Sequence, residues 1–277
     1  MKPSENPNYR GLPVELAAEL PNVDWNNLEP TQESRFTVAL EMFKSLNQAW
    51  DDTMRQQTGR RNPYHDAGHM SVVAVRVCKV AQFMRLPLAK AQSLCLAGTG
   101  HDAGHPGVGI RQSVINGCPL IYPDLVGITN ERASAIATDD ISRIIGVSLG
   151  VRILTFGAIE SSLTGIDDPG GHNDVEDILR ACDVLVSDCT PSEWIRESAK
   201  VTKETSESDR KPLGDWIRGR RWFLKNIVRP RMELVPATMQ LWGEQLRAVE
   251  DYMDKAVAGD STIVAYIDDI VGHLLPS

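Results

Sequence analysis

From residue 31 onward the apolar residues of the chain fall at helical intervals. Phe36, Leu40, Phe43, Leu46 and Trp50 recur at steps of three and four, the spacing that lines one face of an α-helix. That helix is expected to end before Gly59-Arg60-Arg61-Asn62-Pro63. The same reading predicts helices over 66–84, 87–101, 129–147, 151–163, 174–189, 192–204, 213–229 and 236–258. Residues 71–84 are Val-rich and resemble a strand, but their length and the Val72, Val75, Cys78, Ala81 steps favour helix. Nothing alternates with period two for long, and no internal repeat of about 20–50 residues is present. Residues 1–30 carry five prolines and read as an irregular arm. Residues 200–212 are the most polar stretch and read as an exposed loop or helix end. No shift in composition marks a boundary within 31–277. The expected architecture is all-α, a single compact multi-helix domain.

Composition narrows the function classes. The 277 residues are 42% hydrophobic and 24% charged, which suits a soluble globular chain with a substantial core. A net charge of −8 argues against non-specific binding to nucleic acid or anionic membranes, though not against a local basic pocket. The one basic cluster is Arg218, Arg220, Arg221, Lys225, Arg229 and Arg231, with Trp222 and Phe223 inside it. At helical spacing it reads as a pocket edge plus a solvated face, with Trp222 in the core. The five cysteines include no CxxC pair and are read as reduced, mostly buried thiols of a cytoplasmic protein. The N-terminus has no apolar run of signal-peptide length, and 71–84 is too short and too charged, with Arg76 and Lys79, to span a bilayer.

The chemistry is concentrated in histidine. Of six histidines, four form two pairs with the same four-residue step, His65/His69 and His101/His105. One helical turn separates the members of each pair, so both imidazoles can share a face. Imidazole nitrogen suits divalent transition metals, and carboxylate completes such shells. Asp102 follows His101 directly, so its side chain can flank a cluster larger than one ion. A further carboxylate is needed from elsewhere. Asp183 stands inside an apolar helical run, and either a cation or a salt bridge to a neighbour such as Arg180 would compensate it. His172, in a Gly-rich loop, reads as surface.

These motifs resemble the HD-type phosphohydrolases, and more narrowly the class I 3′,5′-cyclic nucleotide phosphodiesterases. Asn62-Pro63-Tyr64-His65 with His69 is similar to one signature of that family, and His101-Asp102-Ala103-Gly104-His105-Pro106-Gly107 to the other. Further likenesses lie at 112–124, at Ala181-Cys182-Asp183, and at 223–230, so the resemblance covers about residues 35–255. It implies a catalytic domain over 31–277 that hydrolyses a cyclic nucleotide to the 5′-monophosphate with a metal-bridging hydroxide. His69, His101, Asp102 and Asp183 would hold a tight Zn2+, and Asp102 would bridge to Mg2+ or Mn2+. His65 would be the general acid, and His105 would support the phosphate and the second metal's water shell. Glu131 and Thr164 would stand around the second metal. Tyr64, Phe223 and Arg220 would contact substrate, with Phe223 stacking on the base.

The departures from the family pattern matter as well. Asp66 replaces an Asn, and either orients His65 or caps a helix. Thr129-Asn130-Glu131-Arg132 replaces the residues that support the second metal in many members. Arg220 stands where the family has its purine-binding Gln. A guanidinium only donates, so it would face base acceptors or an extra anionic group. A weaker alignment places Ile263 there, with 266–271 as the clamp. Other outcomes of the same pattern are an HD phosphohydrolase for a different nucleotide or small phosphoester, and a degenerate binding module. The expected partner is a small-molecule nucleotide rather than nucleic acid or membrane. The oligomeric state stays open, a homodimer included.

Overall fold

The structure, a computed structural model, describes residues 64–103, 114–115, 118–119, 129–144, 146–162, 173–184, 189–205 and 212–274. The helix read over 31–58, the arm before it, His105, Thr164 and His172 lie outside the described residues. The all-α class is what the structure shows: apart from one antiparallel pair of two-residue strands, Val114–Ile115 with Cys118–Pro119, the regular elements among the described residues are helices. The chain divides into two compact units, Met1–Thr164 and Gly165–Ser277.

The first unit is built from α1 (Ala67–Phe83), α2 (Leu88–Gly100), α3 (Asn130–Ile144) and α4 (Leu149–Ser161). Asp66 starts α1 as its N-cap, its carboxylate accepting from the His69 backbone N–H at 2.8 Å. The helix ends where Arg85 turns into the left-handed region at φ 53°, before Pro87 opens α2. Val73, Val77 and Val80 of α1 are buried, as are Leu94, Leu96 and Ala97 of α2. Each large aliphatic side chain so buried contributes about 1.5–3 kcal/mol. Ser93 of α2 donates to the Val151 carbonyl of α4 at 3.1 Å, satisfying a buried hydroxyl across two helices. Arg152 of α4 holds Asp139 of α3 with two parallel bonds of 2.9 and 2.7 Å.

Cys78 and Cys95 correct the expectation of five reduced thiols: they form a disulfide between α1 and α2. They sit on facing sides of the two helices with Cα atoms 5.8 Å apart, within the usual bridging range. Cys182 is buried and Cys189 half-buried.

The second unit comprises α5 (Asp174–Asp183), α6 (Pro191–Thr205), α7 (Leu213–Phe223), a π-helical turn (Leu224–Val228), α8 (Arg229–Leu234), α9 (Pro236–Val257) and α10 (Ser261–Leu274). Asn173 caps α5, accepting from Val175 and Glu176 N–H. Thr190 and Glu193 form a reciprocal capping box at the start of α6. Leu246, Val249 and Met253 of α9 are fully buried, with Ile267 of α10.

Several details differ from the periodicity reading: the helix expected over 174–189 ends at Asp183, and Val72 and Val75, two of the steps that favoured helix over 71–84, are exposed. The helix expected over 213–229 runs on to Leu234 and passes through the π-helical turn. Pro230 has no N–H for the Asn226 carbonyl and its ring crowds that turn, so the backbone widens and Arg229 N–H reaches back to Leu224. Trp222, expected in the core, is 48% exposed, because α7 buries its Trp216 and Ile217 side instead. Beyond residue 258 the sequence reading named no helix, yet α10 is there, started by the Asp260 side chain and buried through Ile267 and Ile270. No helix among the described residues is long and apolar enough to cross a membrane.

Candidate metal centre

Two helix termini of the first unit bring His69, His101 and Asp102 together. His69 lies in the first turn of α1, where the Asp66 cap fixes its backbone. Capping is the role the structure shows for Asp66. Gly68 leaves room for it, since a Cβ there would stand 3.0 Å from the capping oxygen. His101 is the C-cap of α2, and Asp102 follows it. The Nδ1–H of His101 donates to the Gly98 carbonyl at 2.9 Å, which turns Nε2 inward.

Gly98 and Gly100, which sequence reasoning did not single out, make this placement possible. A Cβ on Gly98 would lie 2.9 Å from both Ala74 Cα and Val77 Cγ2 of α1. A Cβ on Gly100 would lie within 3.1 Å of Thr138 Cγ2 on α3, and the Gly100 carbonyl accepts from the Thr138 hydroxyl at 3.3 Å. The repeated Gly immediately before His101-Asp102 was the available signal. Because the Gly98 neighbour is backbone, Gly98→Ala is expected to cost about 1–3 kcal/mol through overpacking. Gly150→Ala has nothing within 4 Å of its Cβ and is expected to be neutral or slightly stabilising. Urea unfolding of the two variants checks the contrast; equal midpoints would remove the close-approach argument.

The three side chains converge in a buried space. His69 Nε2 and His101 Nε2 are 3.4 Å apart, and Asp102 Oδ2 is 3.4 Å from the first and 3.1 Å from the second. Asp102 Oδ2 is fully enclosed without an aligned hydrogen-bond donor among the described residues. The Nδ1–H bond leaves His101 Nε2 an acceptor in the neutral ring, and the carboxylate accepts as well, so either a proton on an imidazole or a cation must lie among the three atoms. Four ligands around Zn2+ at about 2.0–2.1 Å would stand about 3.3–3.4 Å from one another, close to the distances here. Two imidazoles and a carboxylate also match the ligand preference of zinc. His69 and His101 therefore belong to a possible His/Asp metal site. Burial raises the Asp102 pKa, but the charge of His101, then those of His65 and His69, outweigh it and hold the carboxyl well below the usual range.

The other predicted residues divide by location. Tyr64 and His65 are half-buried beside the cluster. The Tyr64 ring lies 4.4 Å from that of His69 and edge-on to His65 at 4.9 Å, and the His65 and His69 rings are 5.7 Å apart. Glu131 is in the first turn of α3 and its Oε2 is enclosed without a hydrogen-bond partner among the described residues. It stands two turns before Thr138, hence on the α3 face that lies against the end of α2.

In the second unit, Asp183 is the last residue of α5 and half-buried. Phe223 ends α7, with Arg220 one turn before it. The basic cluster is largely neutralised within that unit. Arg218 pairs with Asp215, Arg221 with Asp254, and Arg229 with Glu250 and Glu233. No family model matches the chain, and no curated protein or solved structure matches it either.

Proposed function

We propose that this protein is a metal-dependent phosphohydrolase acting on a 3′,5′-cyclic nucleotide. The observation that carries the reading is the convergence of His69, His101 and Asp102 on one buried point, with His65 beside them. Zinc is the ion these donors suit, and Asp183 is proposed as its fourth ligand. A second divalent ion, Mg2+ or Mn2+, is proposed on the Asp102 and Glu131 side, where the enclosed Glu131 oxygen calls for a cation. Bound metals would supply charge neutralisation at the phosphate and an activated water.

The protein's own residues do the rest of the work. His101 is held in one tautomer by the Gly98 carbonyl, so its inward nitrogen is available for coordination. His65 lies beside the cluster, its ring 5.7 Å from that of His69, and is assigned the role of giving a proton to the departing O3′. Tyr64 packs on both histidines and fixes their rings. Phe223 is proposed to stack on the base, and His105 to support the phosphate.

Metal analysis of the purified protein joined to a hydrolysis panel tests the reading. Zinc near one per chain is expected, with turnover of cyclic AMP or cyclic GMP to the 5′-monophosphate that is lost on chelation. Turnover confined to linear nucleotides or other phosphoesters would keep the metal reading and discard the cyclic substrate. Metal without hydrolysis of any phosphoester would reduce the site to a binding module.

A further inference from the structure

Water can serve the charge of an exposed arginine, so such a residue needs no protein partner. Arg220 is placed differently. It is half-buried on α7, and desolvation pushes its guanidinium below its ordinary pKa. Its neighbours Arg218, Arg221 and Arg229 each face a carboxylate. Arg220 makes no such pair among the described residues, and its contact is with the Trp216 ring, 5.8 Å from guanidinium carbon to centroid. Trp216 is itself anchored, its indole N–H donating to Thr202 of α6 at 3.0 Å. Trp216, Arg220 and Phe223 are spaced four and three residues apart, so they share one face of α7.

A cation taken out of water without a counter-charge is costly in the unliganded protein. A guanidinium supported on an anchored ring keeps its planar donor edge for two parallel bonds to an oxyanion. We propose that Trp216, Arg220 and Phe223 form an anion-binding site, with the Arg220 guanidinium taking a phosphate or carboxylate group of a small ligand. The inference does not rest on the phosphohydrolase reading, because its test reads binding and stability rather than turnover.

The experiment titrates the full chain with inorganic phosphate and, separately, with acetate at low salt. Calorimetry and thermal unfolding are followed for wild type, Arg220→Met, Arg220→Lys and Arg218→Gln. Wild type is expected to bind at least one of the two anions and to melt higher with it, and the stronger arm identifies the ligand class. Arg220→Met should weaken this binding at least tenfold. Arg220→Lys should weaken it less, because a point charge replaces the fork. Arg218→Gln should bind as wild type.

In anion-free buffer Arg220→Met should melt a few degrees above wild type, since it keeps bulk on Trp216 and removes a desolvated charge that faces no carboxylate among the described residues. The Arg220-dependent binding should persist in Asp102→Asn, which separates this site from the His/Asp cluster. Three results would overturn the proposal: no anion bound by wild type, equal affinity in Arg220→Met, or a lower melting point for Arg220→Met in anion-free buffer.

Discussion

Replacing Asp102 with asparagine is expected to leave a folded protein that no longer retains its metal. The carboxylate oxygen lies 3.1 and 3.4 Å from the two inward imidazole nitrogens and has no aligned donor of its own among the described residues. Burial works against its charge, but the charge of His101 beside it holds its pKa below the usual carboxylate range, which favours the negative form that a cation needs. An amide has a similar shape and fills the space, but it contributes only a dipole. Changes to groups that merely orient metal ligands cost about 10–100-fold in affinity, so loss of the ligand charge itself should cost at least about 100-fold. Two readouts follow. Elemental analysis should fall from near one metal per chain to a trace. The melting point of wild type should drop on chelation, since a ligand that binds only the folded state stabilises it by mass action, while that of Asp102→Asn should not move. Stoichiometric metal in Asp102→Asn would show that the buried acid is only an ion-pair partner of the two histidines. The same pair of measurements on Asp183→Asn tests the proposed fourth ligand.

What periodicity could reach, and what it could not, follows from where each kind of information sits. The helix carrying His69 was legible from the length of the Val-rich stretch and its Val72, Val75, Cys78, Ala81 steps, but the side it buries is that of Val73, Val77 and Val80, while Val72 and Val75 are exposed. The His-Asp pair was legible because its members are adjacent in the chain. Facts that depend on two helices at once were not. Cys78 and Cys95 lie 17 residues apart, and only side-by-side packing of α1 and α2 brings their Cα atoms to 5.8 Å. Gly98 looks like a weak helix residue until the backbone of Ala74 is found against it. The N-cap role of Asp66 was one of two readings, and the bond to His69 N–H shows it. Trp222 was misplaced because composition places tryptophan inside, whereas the orientation of α7 is set by Trp216 and its bond to Thr202. The π-helical turn had a local cause in Pro230, a signal that a count of apolar steps does not weigh.

Replacing His65 with alanine is expected to lower turnover by about 10²–10⁴-fold while metal content stays at the wild-type level. The two halves of this outcome come from separate features of the geometry. The His65 ring is 5.7 Å from that of His69 and outside the set of nitrogen and oxygen atoms that converge, so removing it leaves that set whole. A departing alkoxide, by contrast, needs a proton, and His65 is an imidazole beside the cluster that the proposed ligand set does not use. A merely structural role would slow all substrates alike. Proton donation slows only those with a poor leaving group. A 4-nitrophenyl phosphodiester, whose leaving phenolate needs no proton, should therefore be cleaved by His65→Ala almost as fast as by wild type, while the cyclic nucleotide is not. The alkaline limb of the kcat/KM profile for the cyclic nucleotide should also disappear, because that limb reports loss of the donated proton. If both substrates slow equally, or if zinc leaves with the imidazole, His65 belongs to the scaffold or to the ligand set, and the proton must come from elsewhere.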